Sequence, residues 1–177
     1  MKILFLTRTH PPIVGGLENQ SFNLIKNFKK INKEVFTIIN TRGKKNLPFF
    51  IPYSFLKALY LIYKHKITHL HLSDGVLALE GYLIKKLTDV KTIITIHGLD
   101  ITYKNTIYQK ILPNLIKKLD KVICVSNYTK EQCMKREIPQ NKISVIPNGV
   151  NSEEFILKES KKEIRKKLSK KLNLKLD

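Results

Sequence analysis

Three short segments gather residues able to handle a hydroxyl, a phosphate or a proton. Ile94-Thr95-Ile96-His97-Gly98-Leu99-Asp100 places a histidine and a carboxylate just after an apolar run. Such a histidine can hydrogen-bond a sugar hydroxyl or polarise a leaving group; the plainer alternative is a ring satisfied within its own loop. Pro11-Pro12-Ile13-Val14-Gly15-Gly16-Leu17-Glu18 sets two glycines side by side ahead of a helical segment. Glycine reaches positive φ without a Cβ clash and lets other groups approach the backbone. A helix N-terminus with unblocked N–H groups favours an anion by about 0.3–1 kcal/mol. This loop can therefore cradle a phosphate, or it is simply a tight turn; the spacing is not GxGxxG, and no Walker A lysine follows. Val125-Ser126-Asn127-Tyr128-Thr129-Lys130 offers a hydroxyl, although Ser126 is equally a natural N-cap. Beyond it, Asn148-Gly149 marks a sharp turn.

These residues need elements to position them. Strand-length runs rich in Ile, Val and Thr occupy 2–7, 34–40, 68–72, 92–97, 121–125 and 142–146, nearly continuous in hydrophobicity, as strands covered on both faces are. Helix-period segments lie between them at about 17–30, 53–65, 76–88, 105–118 and 127–137. The alternation predicts an α/β fold with a doubly wound parallel sheet, in which ligands meet the loops after the strand C-termini. Five of the seven glycines fall in those loops, at Gly15, Gly16, Gly75, Gly98 and Gly149, so the expectation is one ligand-facing rim. Residues 158–177 read as a basic helical tail with Ile164, Leu168 and Leu172 on one face, leaving 1–157 as the domain.

The chain has 177 residues, enough for one domain with a real core, and 42% apolar content is ordinary. Thirty-three Lys and Arg against fourteen acids give a net charge of +19, which points to an anionic partner or to a lysine-rich solvated surface. Nucleic acid is disfavoured, since no helix-turn-helix, RRM or KH signature is present and there is no Trp. Cys124 and Cys133 lack metal-ligand spacing and fit reduced thiols in the cytosol. Arg8 and His10 end the first apolar run, so no signal peptide is expected there.

In order, PPIVGGLE, TIHGLD, DKVICVSNYTKE and ISVIPNGVNSEEF resemble the N-terminal, acceptor-side half of a GT-B glycosyltransferase of family 4, over about residues 1–157. The resemblance implies a retaining, nucleotide-sugar-dependent hexosyltransferase that needs no metal or other cofactor. It implies that Gly15 and Gly16 approach the donor diphosphate and sugar, that Glu18 faces the acceptor, and that His97 lies nearest the chemistry. Asp100 would support His97 or bind acceptor; Gly98, Ser126 and Asn148 would line the cleft rim. Asn32-Lys33-Glu34-Val35 departs from the usual Gly-His-Glu-Val, and Asn151 from the usual Asp after NGV. The family's donor-binding elements, a basic pair and a Glu-x7-Glu motif, belong to a second Rossmann-like domain not found within these residues. The expectation is therefore a split enzyme with its donor half in trans, a truncated one inactive alone, or a non-catalytic basic binding module for an anionic membrane surface or nucleic acid.

The segment 47–63 interleaves aromatic and aliphatic residues with lysine, with Lys44, Lys45, Lys64 and Lys66 alongside. Pro48, Pro52 and Lys57 argue against a transmembrane span. The pattern suits a crossover helix packed on the sheet, with Phe49 and Phe50 left as membrane or acceptor contacts. A cytoplasmic protein, peripheral on the inner face of the membrane, is the corresponding expectation.

Overall fold

The structure, a computed structural model, describes residues 1–149 and 160–172. Six strands, β1 (Ile3–Thr7), β2 (Val35–Ile39), β3 (His69–Leu72), β4 (Lys91–Ile96), β5 (Lys121–Cys124) and β6 (Ile143–Val145), form one sheet in the order β2-β1-β3-β4-β5-β6. Every pairing is parallel. Seven helices accompany it among the described residues: α1 (Gly16–Ile31), α2 (Leu47–His65), α3 (Ala78–Leu87), α4 (Gly98–Thr102), α5 (Thr106–Ile116), α6 (Asn127–Met134) and α7 (Lys161–Leu172).

Period-two alternation along β1 sorts the core into two layers. Leu4 and Leu6 join the larger cluster with Phe50, Ala58 and Ile62 of α2 and Ala78 and Ile84 of α3. Ile3 and Phe5 point the other way, onto Ile25, Leu24 and Phe28 of α1. Right-handed crossovers require this division: the leftward step from β1 to β2 puts α1 on one face, and the rightward steps put α2, α3 and α5 on the other. Each fully buried aliphatic side chain contributes about 1.5–3 kcal/mol, and β1 is buried along its whole length.

The strands lie where the hydrophobic runs place them, but α2 begins six residues before the expected 53. Pro48 occupies the first turn, where N–H groups lack helical acceptors anyway. Pro52 forgoes one bond a turn later, and the burial of Phe50, Ala58 and Ile62 in the main core outweighs it. This phase corrects the expectation for Phe50. Its ring is core, 4% exposed, and cannot contact a membrane, whereas Phe49 is 78% exposed. The short α4 was not expected; it is a single capped turn in the loop after β4. In α7, Ile164 is half-buried and Leu168 exposed. The predicted domain boundary near 157 lies outside the described residues.

Candidate active site

Parallel strands end on a common edge, and the strand order reverses between β1 and β3, where sheets of this kind open a crevice. Arg8 leaves β1 and Asp74 follows β3 at that point. Arg8 Nε donates to Asp74 Oδ1 at 2.8 Å. The Asp74 side chain has no exposure; it also accepts from Val76 N–H at 2.9 Å and from the Ser73 hydroxyl at 3.2 Å. Desolvation alone would lower the Arg8 guanidinium, but the charge and hydrogen bond of Asp74 hold it above its ordinary value.

Asp100 ties the next pair of strand ends together. Its Oδ2 accepts from the backbone N–H groups of Gly75 (3.2 Å) and His97 (3.0 Å). A methyl group on Gly75 would stand 3.0 Å from Asp100 Cβ, so a residue without a side chain is what lets these loops close. Burial and the Asp74 charge raise the Asp100 carboxyl, against the lowering effect of those two hydrogen bonds. Tyr108 faces the same charges and is pushed up to about 12 by burial, Asp100 and Asp74. The buried carboxylate of Asp100 thus fixes the His97 loop. His97 itself is half-buried, and its Nε2 lies 3.2 Å from the Ser73 carbonyl. A carbonyl can only accept, so Nε2 carries the proton, and the side chain also takes part in the capping box formed with Asp100 at the start of α4.

The glycine-pair loop differs in detail from its expectation. Gly15 is the N-cap of α1 with φ 171° and ψ 168°, an extended backbone, and Gly16 starts the helix. Among the described glycines only Gly43 has positive φ, so conformational freedom does not explain the pair. Space accounts for Gly15 alone: a Cβ there would overlap the Glu18 carboxylate as it now lies. Glu18 turns back over the helix end and accepts from the Thr9 hydroxyl at 2.5 Å. A first-turn acid thus already faces the helix N-terminus that a phosphate would approach. At Gly16, Gly98 and Gly149 a Cβ would meet nothing within 4 Å among the described residues.

The contacts therefore link Gly15, Glu18 and Thr9, and separately link Arg8, Asp74, Asp100 and His97. Ser126 and Asn148 share the sheet edge but not these contacts. Ser126 caps α6, accepting from Thr129 N–H at 3.1 Å, and Asn148 is exposed. Among the described residues, no group of three His, Cys, Asp or Glu stands close enough to hold a metal ion. Arg8 and Asp74 were missed as partners, because residues 66 positions apart leave no local signature.

Comparison with known proteins bears on the family and the fold. The profile of Glycosyltransferase Family 4 matches residues 14–154. The phosphatidylinositol N-acetylglucosaminyltransferase GPI3 subunit of Saccharomyces cerevisiae (strain ATCC 204508 / S288c) is 29% identical over 172 residues, covering 81% of this chain and 38% of that protein. An uncharacterized glycosyltransferase, MJ1178, of Methanocaldococcus jannaschii is 30% identical, covering 86% of this chain and 48% of its own length. The chain thus spans less than half of these relatives. The crystal structure of Anabaena Alr3699/HepE in complex with UDP-glucose superposes with a TM-score of 0.73 at 16% identity, over 100% of this chain and 51% of that one. A glycosyltransferase from Rickettsia africae ESF-5 gives 0.61 at 23% identity, over 98% and 50%. At these identities the structural likeness shows the fold: a Rossmann-like half of a GT-B architecture.

Proposed function

This chain belongs to glycosyltransferase family 4, and on that premise we propose that it is the acceptor-binding half of a retaining, nucleotide-sugar-dependent glycosyltransferase. The observation that carries the reading is the carboxyl edge of the sheet. At three glycines there a Cβ would meet no described atom within 4 Å, beside the half-buried His97. An edge kept bare fits a bulky ligand lying across it.

In this reading Glu18 accepts a hydrogen bond from the acceptor hydroxyl, exchanging its Thr9 contact for it. The acceptor oxygen attacks the anomeric carbon from the side of the leaving group. The bond from that carbon to the diphosphate oxygen breaks, and the acceptor proton passes to the departing phosphate. The products are the glycosylated acceptor and the nucleoside diphosphate. No protein nucleophile and no metal is invoked, so the chain's groups act by positioning and by stabilising charge. His97 touches the transferred sugar; Asp100 is a positioning residue that holds the His97 backbone. Gly15 and Gly16 let the donor sugar and diphosphate approach α1. A second Rossmann-like domain, covalently attached or in trans, supplies the other wall of the nucleotide site, and this half alone transfers nothing.

The test is nucleoside diphosphate release by the chain combined with a donor-binding domain, using panels of nucleotide-sugars and of sugar or lipid-linked acceptors. His97→Ala keeps the backbone N–H that Asp100 binds. It should lower kcat roughly 100-fold, with stability reduced only by about the 0.5–1.5 kcal/mol of one lost hydrogen bond. Undiminished turnover in that variant would remove His97 from the chemistry.

A further inference from the structure

Cys124 ends β5, and Cys133 stands in the last turn of α6, which packs against that strand. The two sulfurs lie 3.7 Å apart, in direct contact. Both side chains are buried in the main core, in one cluster with Ile96, Val122 and Ile138. The fold fixes this meeting from both ends of α6. Ser126 caps its start, accepting from Thr129 N–H. Past its end, Arg136 Nε donates to Gln109 Oε1 of α5 at 2.6 Å, and Ile138 N–H donates to the Cys133 carbonyl at 3.2 Å.

A buried cysteine is ordinarily an inert, small hydrophobe. Two features set this pair apart. The first is contact, since a sulfur oxidised on one residue already faces a thiol on the other. The second is asymmetry. The hydrogen bond from Cys133 lowers the Cys124 thiol, opposed by burial and aided by the Lys130 charge. The same hydrogen bond and burial raise Cys133, against the Arg136 charge. One sulfur is therefore the readier thiolate, and its neighbour keeps a proton. That division suits an attacking and a resolving cysteine. Among the described residues, no third His, Cys, Asp or Glu joins them as a metal ligand.

We propose that Cys124 and Cys133 form a reversible redox pair, joined as an intrachain disulfide by a hydroperoxide and reopened by a dithiol reductant. Local opening of α6, a helix of eight residues, admits the oxidant. The Cys124 thiolate attacks one peroxide oxygen, and the O–O bond breaks. Cys124 becomes a sulfenic acid, and the departing oxygen takes a proton and leaves as water or an alcohol. Closure of α6 returns that sulfur to Cys133. The Cys133 sulfur then attacks it, the S–O bond breaks, and the hydroxide leaves as water with the Cys133 proton. Two thiols lose two electrons in all, and the peroxide gains them. The bond ties α6 to β5 across the loop that carries Ser126. None of the transfer chemistry enters this argument, so oxidation and catalysis can fail separately.

Tryptic digestion of the full chain after hydrogen peroxide treatment, without reductant, tests the proposal. Lys130 lies between the two cysteines, so the disulfide should link peptide 122–130 to peptide 131–135, and dithiothreitol should separate them. Oxidation of Met134 changes the mass of its own peptide and does not imitate the link. Non-reducing electrophoresis should show a monomer. The oxidised chain should have a higher urea midpoint than the reduced one, because a bond between sulfurs already in contact constrains the unfolded chain without distorting the fold. In Cys133→Ala, dimedone should trap a sulfenic acid on Cys124; Cys124→Ala should label far more weakly. Unlinked peptides after peroxide, whether unreacted or carried on to sulfinic acid, overturn the proposal. So does a link between two chains, a lower midpoint on oxidation, or equal dimedone labelling of the two variants.

Discussion

Asp74 has no exposed side-chain surface, and the Arg8 guanidinium is set against it at 2.8 Å. A buried pair of this kind adds little relative to apolar packing, but removing one partner strands the other. Arg8→Met should therefore destabilise the protein by roughly 3–5 kcal/mol at neutral pH. Asp74→Asn in the same molecule should restore most of that, since an amide oxygen can still accept from Val76 N–H. Urea denaturation of the single and double variants measures the difference. A single variant as stable as the wild type would show that the pair does not organise the crevice. At this scale the sequence was partly legible. His97 and Gly15 stood out by type and setting, whereas Arg8 looked like the residue that ends an apolar run. Its role comes from the strand reversal that brings Asp74 to it, which no local pattern encodes. Asp100 was legible as a neighbour of His97, but its hydrogen bonds to the backbone N–H groups of Gly75 and His97 were not.

Elements were more legible than their phases. The β-branched runs marked all six strands to within a residue or two, because continuous hydrophobicity leaves few alternatives. The start of α2 was obscured by two prolines that signal an ending but here fall in and just beyond the first turn. That offset assigned Phe50 to the surface when the helical phase turns it inward. Helix–sheet spacing supplies a second test at this scale. Gly81 of α3 lies on Leu72 of β3, and a methyl group there would overlap Cδ1 and stand 3.3 Å from Cγ. Leu72 is fully buried, so its side chain can yield only by displacing core neighbours. Overpacking costs about 1–3 kcal/mol, of which alanine's helix preference returns ~1 kcal/mol. Gly81→Ala should thus lower the urea midpoint, while Gly16→Ala, with open space at its Cβ among the described residues, should leave it unchanged or raise it slightly. Equal midpoints for both variants would contradict the packing argument.

The stability of the whole molecule should depend on two buried groups acting in opposite directions. Glu80 sits between α2 and α3, with the Ser54 hydroxyl on Oε1 at 2.8 Å and no partner for Oε2 among the described residues. Burial pushes its carboxyl up to about 7 from 4.5, against the Ser54 hydrogen bond. The native state therefore keeps a proton that the unfolded chain releases. That contribution is full below pH 4.5 and is lost as pH rises to about 7. His71, packed on Phe5 and hydrogen-bonded with Thr95, is lowered to about 4 from 6.5 by burial and by His97. Its contribution is present above pH 6.5 and is lost as pH falls to about 4. Each is on the order of 3 kcal/mol, so the two largely offset one another between pH 4.5 and 6.5. Relative to wild type, Glu80→Gln should gain stability with rising pH across this window and His71→Asn should lose it. Parallel profiles from urea melts would refute the assignment.

The parallel sheet has a practical consequence. Met1 and Lys2 lie beside Glu34 at the amino edge, a strand's length from the rim that carries His97. A molecule tethered to a sensor chip or bead through its amino terminus would present its crevice outward, unobstructed. A linker attached among the loops that follow the strands would cover it.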